Sequence, residues 1–186
     1  MYKRQIQYHG HVSTGEVVIT RRGIEGNAIY ALSYDIVQDL LEKKNVTINI
    51  DLKPTMSPEE IASIFQFENY RNITAALRDG VKLEKEKVRL IKGLTSKDDF
   101  SDRAKLSQYI KSFPLEITSA YPLDGAISTL GGISVDEIND PYELHAIPGT
   151  YCIGEMVDWW APTGGYLIQG CVSMGVKLAN HLNGKI

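Results

Sequence analysis

The chain has 186 residues, enough for one sizeable core or two small ones. Its 43% hydrophobic and 23% charged content is that of an ordinary globular protein. A net charge of -3 argues against a dedicated nucleic-acid binder, and no run reaches the roughly 20 apolar residues of a membrane-spanning helix.

Residues 2–9 alternate weakly and predict a strand that Gly10 breaks. The β-branched run Glu16-Val-Val-Ile-Thr20 predicts a better one, followed by a turn through Gly23 and Gly26. Asn27 is placed to cap a first helix whose apolar stripe is Ile29, Leu32, Ile36, Val37, Leu40 and Leu41. Strict alternation of Val46, Ile48, Ile50 and Leu52 predicts a half-buried strand. Ser57-Pro-Glu-Glu60 is a capping box with Pro at the first helical position, opening a helix to about Phe67. Short helices are expected over 72–79, over the charged stretch 82–92 as a solvated helix, and, after Gly93 and a polar turn, over 102–112.

From residue 114 the composition changes. Residues 114–118 predict a strand, and 121–134 are dense in small residues and glycines. A turn at 147–150 leads into a short strand at 151–153, an acidic turn with Glu155, Asp158, Trp159 and Trp160, and a Gly-opened helix over 165–182. That helix is apolar almost all round (Leu167, Ile168, Cys171, Val172, Met174, Val176, Leu178), which predicts burial. Gly170 and Gly175 within it point to another backbone passing close by. Cys152 and Cys171 lie in apolar contexts without a CxxC partner and read as buried free thiols, which fits a reducing cytoplasm. The N-terminus has no signal-peptide h-region. His9, His11, His145 and His181 do not form a metal-ligand spacing, and His181 reads as a surface residue complementing the helix dipole.

Three blocks carry a family resemblance: Leu123-Asp-Gly-Ala-Ile-Ser-Thr-Leu-Gly-Gly-Ile-Ser134, Ile147-Pro-Gly-Thr-Tyr-Cys-Ile-Gly-Glu-Met-Val-Asp158 and Pro162-Thr-Gly-Gly-Tyr-Leu-Ile-Gln-Gly170. Together they resemble the end of the bacterial FAD flavoproteins known as NAD(FAD)-utilising dehydrogenases, whose relatives include a bile-acid reductase. Gly15-Glu-Val-Val-Ile-Thr-Arg-Arg-Gly-Ile-Glu-Gly26 followed by Tyr30-Ala-Leu-Ser33 is similar to that family's mid-chain segment. The family opens with a GxGxxG helix that grips the FAD pyrophosphate, and no GxGxxG occurs here. The resemblance therefore implies a C-terminal half, from a truncation, a split gene or a mis-called start, that lacks the adenosine and pyrophosphate contacts.

By the same resemblance Gly154-Glu155 meets the ribityl chain of FAD, a carboxylate accepting from its hydroxyls. The residues alone leave open a capping or salt-bridging Glu155. Asp158 contacts the flavin or caps the turn. Thr163, Gly164, Gly165, Tyr166 and Leu167 would set backbone N–H groups at the N1–O2 edge of the ring, where a helix N-terminus favours negative charge, or form only a tight turn. Gly131, Gly132 and Ile133 are a second close approach to the ring or a bulge. Gly23 and Gly26 open the first helix as the C-terminal motif opens the last. Trp159 and Trp160 stack on substrate or flavin, or cover the surface left by the missing half. No nucleophile–base pair stands out and no catalytic acid or base is assigned, since a flavin carries the hydride chemistry.

The expected fold is α+β: a mixed sheet packed by the first and last helices, with an inserted helical module, as part of a two-dinucleotide-binding-domain flavoprotein. Residues 1–53 would cover the flavin and substrate, 54–113 form the helical module, and 114–186 belong to the FAD-binding domain. The expected function is the C-terminal portion of an FAD-dependent oxidoreductase moving hydride between NAD(P)H and a small organic substrate, inactive as this chain alone. The alternative is a non-catalytic module that folds alone and self-associates or binds a protein partner, because half a flavin domain leaves an apolar face open.

Overall fold

A computed structural model describes residues 4–66, 70–161 and 164–184. The class is α+β, and the chain divides into two compact units, Met1–Ala120 and Tyr121–Ile186.

The first unit is built on one four-stranded sheet. Strand β1 (Arg4–Tyr8) turns at His9 and Gly10, with φ of 47° and 79°, into β2 (His11–Gly15). Two successive left-handed residues make the two-residue hairpin turn that suits strand twist. Strand β5 (Val46–Asp51) pairs with β1 on one side and β6 (Phe113–Ile117) on the other, giving the order β2-β1-β5-β6. All three pairings are antiparallel, so the sheet is not mixed. Val46, Ile48, Ile50 and Leu52 are buried on the face their alternation predicts. The run 16–20 contributes only β3 (Val18–Ile19), paired with β4 (Ile24–Glu25). Val18 and Ile19 are exposed, because this ribbon belongs to no larger sheet.

The single first helix resolves into α1 (Asn27–Tyr30) and α2 (Ser33–Glu42). Gly26 rather than Asn27 holds the cap position, at φ 112°. A Cβ there would stand 2.4 Å from the Glu16 carbonyl oxygen, so the crossing backbone demands glycine. Of the expected stripe, Ile29, Leu32 and Ile36 are buried, while Leu41 is 77% exposed.

The helical module follows the sequence signals closely at its start. Helix α3 (Pro58–Gln66) opens on a reciprocal capping box, Glu60 N–H donating to Ser57 Oγ at 3.1 Å and Ser57 N–H to Glu60 Oε2 at 2.7 Å. Asn72 caps α4 (Ile73–Ala75), which widens into a π-turn at Ala76–Gly80. Helix α5 (Lys85–Leu94) runs through Gly93 and is not simply solvated: Val88 and Ile91 are buried, and so is Lys87, whose Nζ donates to the Leu52 carbonyl at 2.6 Å. The expected polar turn holds α6 (Lys97–Ser101), capped by Ser96, before α7 (Arg103–Lys111) buries Leu106 and Ile110. Lys111 pairs with Asp51 at 2.6 Å, tying α7 to β5. The module and the sheet share one continuous core.

Where β1 ends, one oxygen of Asp39 gathers three donors: the Tyr8 hydroxyl, His9 Nε2 at 3.0 Å and Lys43 Nζ at 3.0 Å. The Tyr8 bond, then Lys43, hold the Asp39 carboxyl below its ordinary range. Burial, then the Asp39 bond, push Tyr8 up to about 12. The lowered carboxylate contributes stability present above the ordinary carboxylate pKa of about 4 and lost as pH falls through the lower folded value. The raised phenol contributes stability present below about pH 10 and lost as pH rises towards 12. Tyr8→Phe is therefore expected to flatten both limbs of a stability–pH profile measured by urea unfolding. An unchanged alkaline limb would contradict this account.

The second unit has little regular structure before its last helix. Strands β7 (Ile138–Asn139) and β8 (Glu143–Leu144) form a short ribbon, and residues 128–156 add no strand to a larger sheet. Helix α8 (Gly165–Asn183) has no fully buried residue, contrary to the expectation from its composition. It turns Leu167, Gly170, Cys171, Met174, Leu178 and His181 inward at helical spacing and leaves Ile168, Val172 and Val176 in solvent. One small unit can cover one face of a helix, not two.

Candidate functional site

The glycine-dense segment and the acidic turn come together as neighbouring chains. Ile133 N–H donates to the Met156 carbonyl at 2.9 Å, and Asp158 N–H donates to the Ile133 carbonyl at 2.8 Å, a parallel bridge between Ile133 and Val157. Gly132, Ile133, Gly154, Glu155 and Asp158 thus share one locality. Gly132, at φ 158°, lets this happen: a Cβ there would lie 2.7 Å from Met156 O and 2.9 Å from the Val157 carbonyl carbon. Its glycine is explained by protein backbone rather than by a ligand. Gly131, at φ 88°, has nothing within 4 Å on its open side.

Gly154 begins a 3-10 turn, Gly154–Met156, at φ 68°, and faces the middle of α8: its N–H donates to Met174 Sδ at 3.3 Å, and a Cβ on it would lie 3.5 Å from Cys171 Sγ. Trp159 locks the same joint. Its Nε1 donates to the Gly154 carbonyl at 2.8 Å, and its ring lies where a Cβ of Gly170 would sit, 2.3 Å from Cη2. The close neighbour that Gly170 signals is therefore an indole, not a backbone. Gly175 has ordinary room, its nearest neighbour being Ile153 at 3.9 Å. The structural role of Trp159 was missed in the sequence, although a glycine in the middle of an apolar helix is the trace it leaves. Trp160 is 38% exposed.

Glu155 and Asp158 are exposed, and among the described residues neither carboxylate accepts from a protein donor. The capping and salt-bridge alternatives for them find no partner there. Gly164 caps α8 at φ 123° and accepts from Ile168 N–H at 3.0 Å, so the N–H groups of Gly165, Tyr166 and Leu167 have no acceptor within the helix. Among the described residues, a Cβ on Gly164 or Gly165 would meet nothing within 4 Å. The Tyr166 side chain is 81% exposed. Thr163 lies outside the described residues. Gly23 and Gly26 belong to the first unit, where Gly26 is required by the Glu16–Val17 crossing. His181, in the last turn of α8, is half-buried rather than exposed: its Nε2 is buried and has no hydrogen-bond partner among the described residues. Cys152 and Cys171 are free. Among the described residues, no group of three or more His, Cys, Asp or Glu could hold a metal ion, and no helix is long and apolar enough to cross a membrane.

The donor set fits one end of a flavin. Open glycines admit a flat ring to the backbone, the α8 N-terminus suits an electron-rich edge, and two unpaired carboxylates suit sugar-alcohol hydroxyls. No GxGxxG exists in the sequence to cradle a pyrophosphate.

The family described as the HI0933-like protein barrel and H2TH domain matches residues 2–128. The chain belongs to this family. The chain is also 26% identical, over 173 residues, to the 3-dehydro-bile acid delta(4,6)-reductase of Clostridium scindens. That match takes in 87% of this chain and 42% of the reductase, so the chain spans less than half the length of this relative. The family match and the likeness to the reductase together uphold the resemblance to the bacterial FAD flavoproteins and their bile-acid reductase-like members. The family match ends at residue 128, so the Ile133–Val157 joint and the start of α8 lie beyond it.

Proposed function

We propose that the chain supplies the flavin-ring half of the site of an FAD-dependent oxidoreductase of the two-dinucleotide-binding-domain type. The observation that carries this reading is the joint between Gly131–Ile133 and the Gly154–Asp158 turn, with open glycines and two unpaired carboxylates beside it. The bound flavin would supply hydride transfer between NAD(P)H and a small organic substrate. Glu155 would accept hydrogen bonds from the ribityl hydroxyls, and Asp158 would hold a second polar group of the cofactor. The backbone N–H groups of Gly165, Tyr166 and Leu167 would face the N1–O2 edge of the ring. Trp159 keeps the turn and α8 in one arrangement, so these donors are preorganised. In this reading, the FAD-binding part lies within residues 114–186. The two free thiols favour a cytoplasmic setting.

The phosphates must be held by polypeptide corresponding to the part of the reductase outside the match. The test is to assemble this chain with a GxGxxG-bearing counterpart and measure bound FAD by its absorbance. A yellow assembly is expected, with Glu155→Ala weakening FAD about tenfold or more through loss of a charged acceptor. A folded assembly that stays colourless at saturating FAD would overturn the reading.

A further inference from the structure

The first unit holds an open polar cleft at one end of its sheet. Strand β1 pairs with β5 only as far as Gln7 opposite Asn49, whereas β5 runs on against β6 to Val46 opposite Ile117. Beyond Gln7, β1 follows β2 into the His9–Gly10 turn. The two strands part there, and Asp39 and Lys43, from the end of α2, lie at the gap. The cleft measures about 490 Å³, a size that suits a small molecule. Asp39 binds its three donors through Oδ2, and its Oδ1 accepts from none among the described residues. The carboxyl is ionised at neutral pH, so Oδ1 can only accept. Asn45 donates from Nδ2 to Glu116, which leaves its Oδ1 free. The side chains of Gln7, Thr47 and Asn49 line the cleft with no protein partner among the described residues. His9 adds a flat surface: Tyr8 stacks on one face of its ring at 4.2 Å and 12°, and the side chain is still 54% exposed. A hairpin turn of this kind prefers Asn at that position, so the turn does not account for the ring.

We propose that this cleft binds a neutral ring carrying a vicinal diol, as in a sugar or the ribose of a nucleoside. Lys43 already balances Asp39, so the pair offers no net charge to an ionic ligand. Asp39 Oδ1 and Asn45 Oδ1 need donors, while the carboxamides of Gln7 and Asn49 and the Thr47 hydroxyl both donate and accept. Hydroxyls do both as well, and a vicinal diol presents two of them side by side. An apolar ligand would take water from these groups and give no hydrogen bond back. The exposed face of the His9 imidazole is an apolar surface for the C–H face of the ring. All these residues lie in the first unit, so the inference stands apart from the flavin reading.

The experiment is saturation-transfer NMR on the full chain with methyl β-D-ribofuranoside, adenosine and methyl α-D-mannopyranoside. Each is run beside a counterpart lacking one hydroxyl of its diol. At least one diol probe is expected to bind with a dissociation constant of about 10 mM or tighter, and its deoxy counterpart about tenfold more weakly. The tightest of the three identifies the source of the diol: ribose alone, a nucleoside or a free hexose. Asp39→Asn should weaken that probe about tenfold or more. His9→Asn should weaken it by a similar factor with the circular dichroism unchanged, because Asn suits the turn; this variant decides the matter where Asp39→Asn does not fold. Leu94→Ala, an exposed site in the helical module, should leave binding as it was. No binding of any diol probe at about 10 mM, deoxy counterparts that bind equally well, or His9→Asn binding as tightly as the unaltered chain would each overturn the proposal.

Discussion

Phe113→Ala is expected to destabilise the first unit by about 3–5 kcal/mol, the range for deleting a buried aromatic ring and leaving a cavity. Phe113 is 1% exposed and stands at the start of β6 opposite Ile50. Its ring meets Tyr109 of α7 edge-to-face, with centroids 6.0 Å apart and planes at 72°. One side chain therefore packs the sheet and the helical module together, and neither can close over the gap without moving the other. Urea unfolding followed by circular dichroism should show an earlier midpoint at unchanged slope. Val12→Ala, on a side chain 58% exposed at the sheet edge, should change stability by less than about 0.5 kcal/mol. A Phe113→Ala loss close to that of Val12→Ala would mean that the sheet and the module are not one cooperative core.

What was legible in the sequence was local. The alternation of residues 46–52 named a buried face because strand geometry gives side chains a period of two, and the Ser57–Glu60 box named a helix start because its bonds close within three residues. What was not legible depends on distant partners. Strand β2, His-Val-Ser-Thr-Gly, has weak strand character of its own and exists because the His9–Gly10 turn folds it onto β1. Lys87 reads as one cation in a wet run, yet it is buried because the Leu52 carbonyl, 35 residues away in sequence, accepts from it. Residues 16–20 have strand propensity but only a two-residue partner, so the propensity is mostly unused.

The residues of the candidate site stood out in composition, but the reasons for them did not. The glycines, the two carboxylates and the helix start were all visible, and the structure brings Gly132 and Ile133 beside the Gly154–Asp158 turn. Their causes differ from one glycine to the next. Gly170 answers to Trp159 and Gly26 to the Glu16 carbonyl, whereas Gly131 and Gly164 answer only to their own positive φ, and a Cβ at either of them or at Gly165 would meet nothing within 4 Å among the described residues. A one-letter G carries none of this. The apolar composition of α8 predicted burial, but Ile168, Val172 and Val176 on its outer stripe are exposed, because composition does not say how many faces of a helix find a partner.

The pair Gly131 and Gly132 turns that distinction into an expected result. Gly132→Ala pushes a methyl to 2.7 Å from Met156 O and 2.9 Å from the Val157 carbonyl carbon, both backbone atoms held by the Ile133 ladder. Overpacking of about 1–3 kcal/mol and backbone strain of about 1–3 kcal/mol act together, so roughly 2–6 kcal/mol should be lost. Gly131→Ala meets open space at φ 88° and should lose only the strain, about 1–3 kcal/mol. Tryptophan fluorescence reads both, since the chain's two tryptophans, Trp159 and Trp160, lie in the second unit beside this joint. Equal losses would show that the 132–157 contact is not what fixes the turn. In an FAD-bearing assembly the order should reverse for a variant pair that still folds. Gly131 has the side open to a ligand, so its methyl should weaken FAD more per unit of stability lost than the methyl on Gly132, which points into the protein's own backbone.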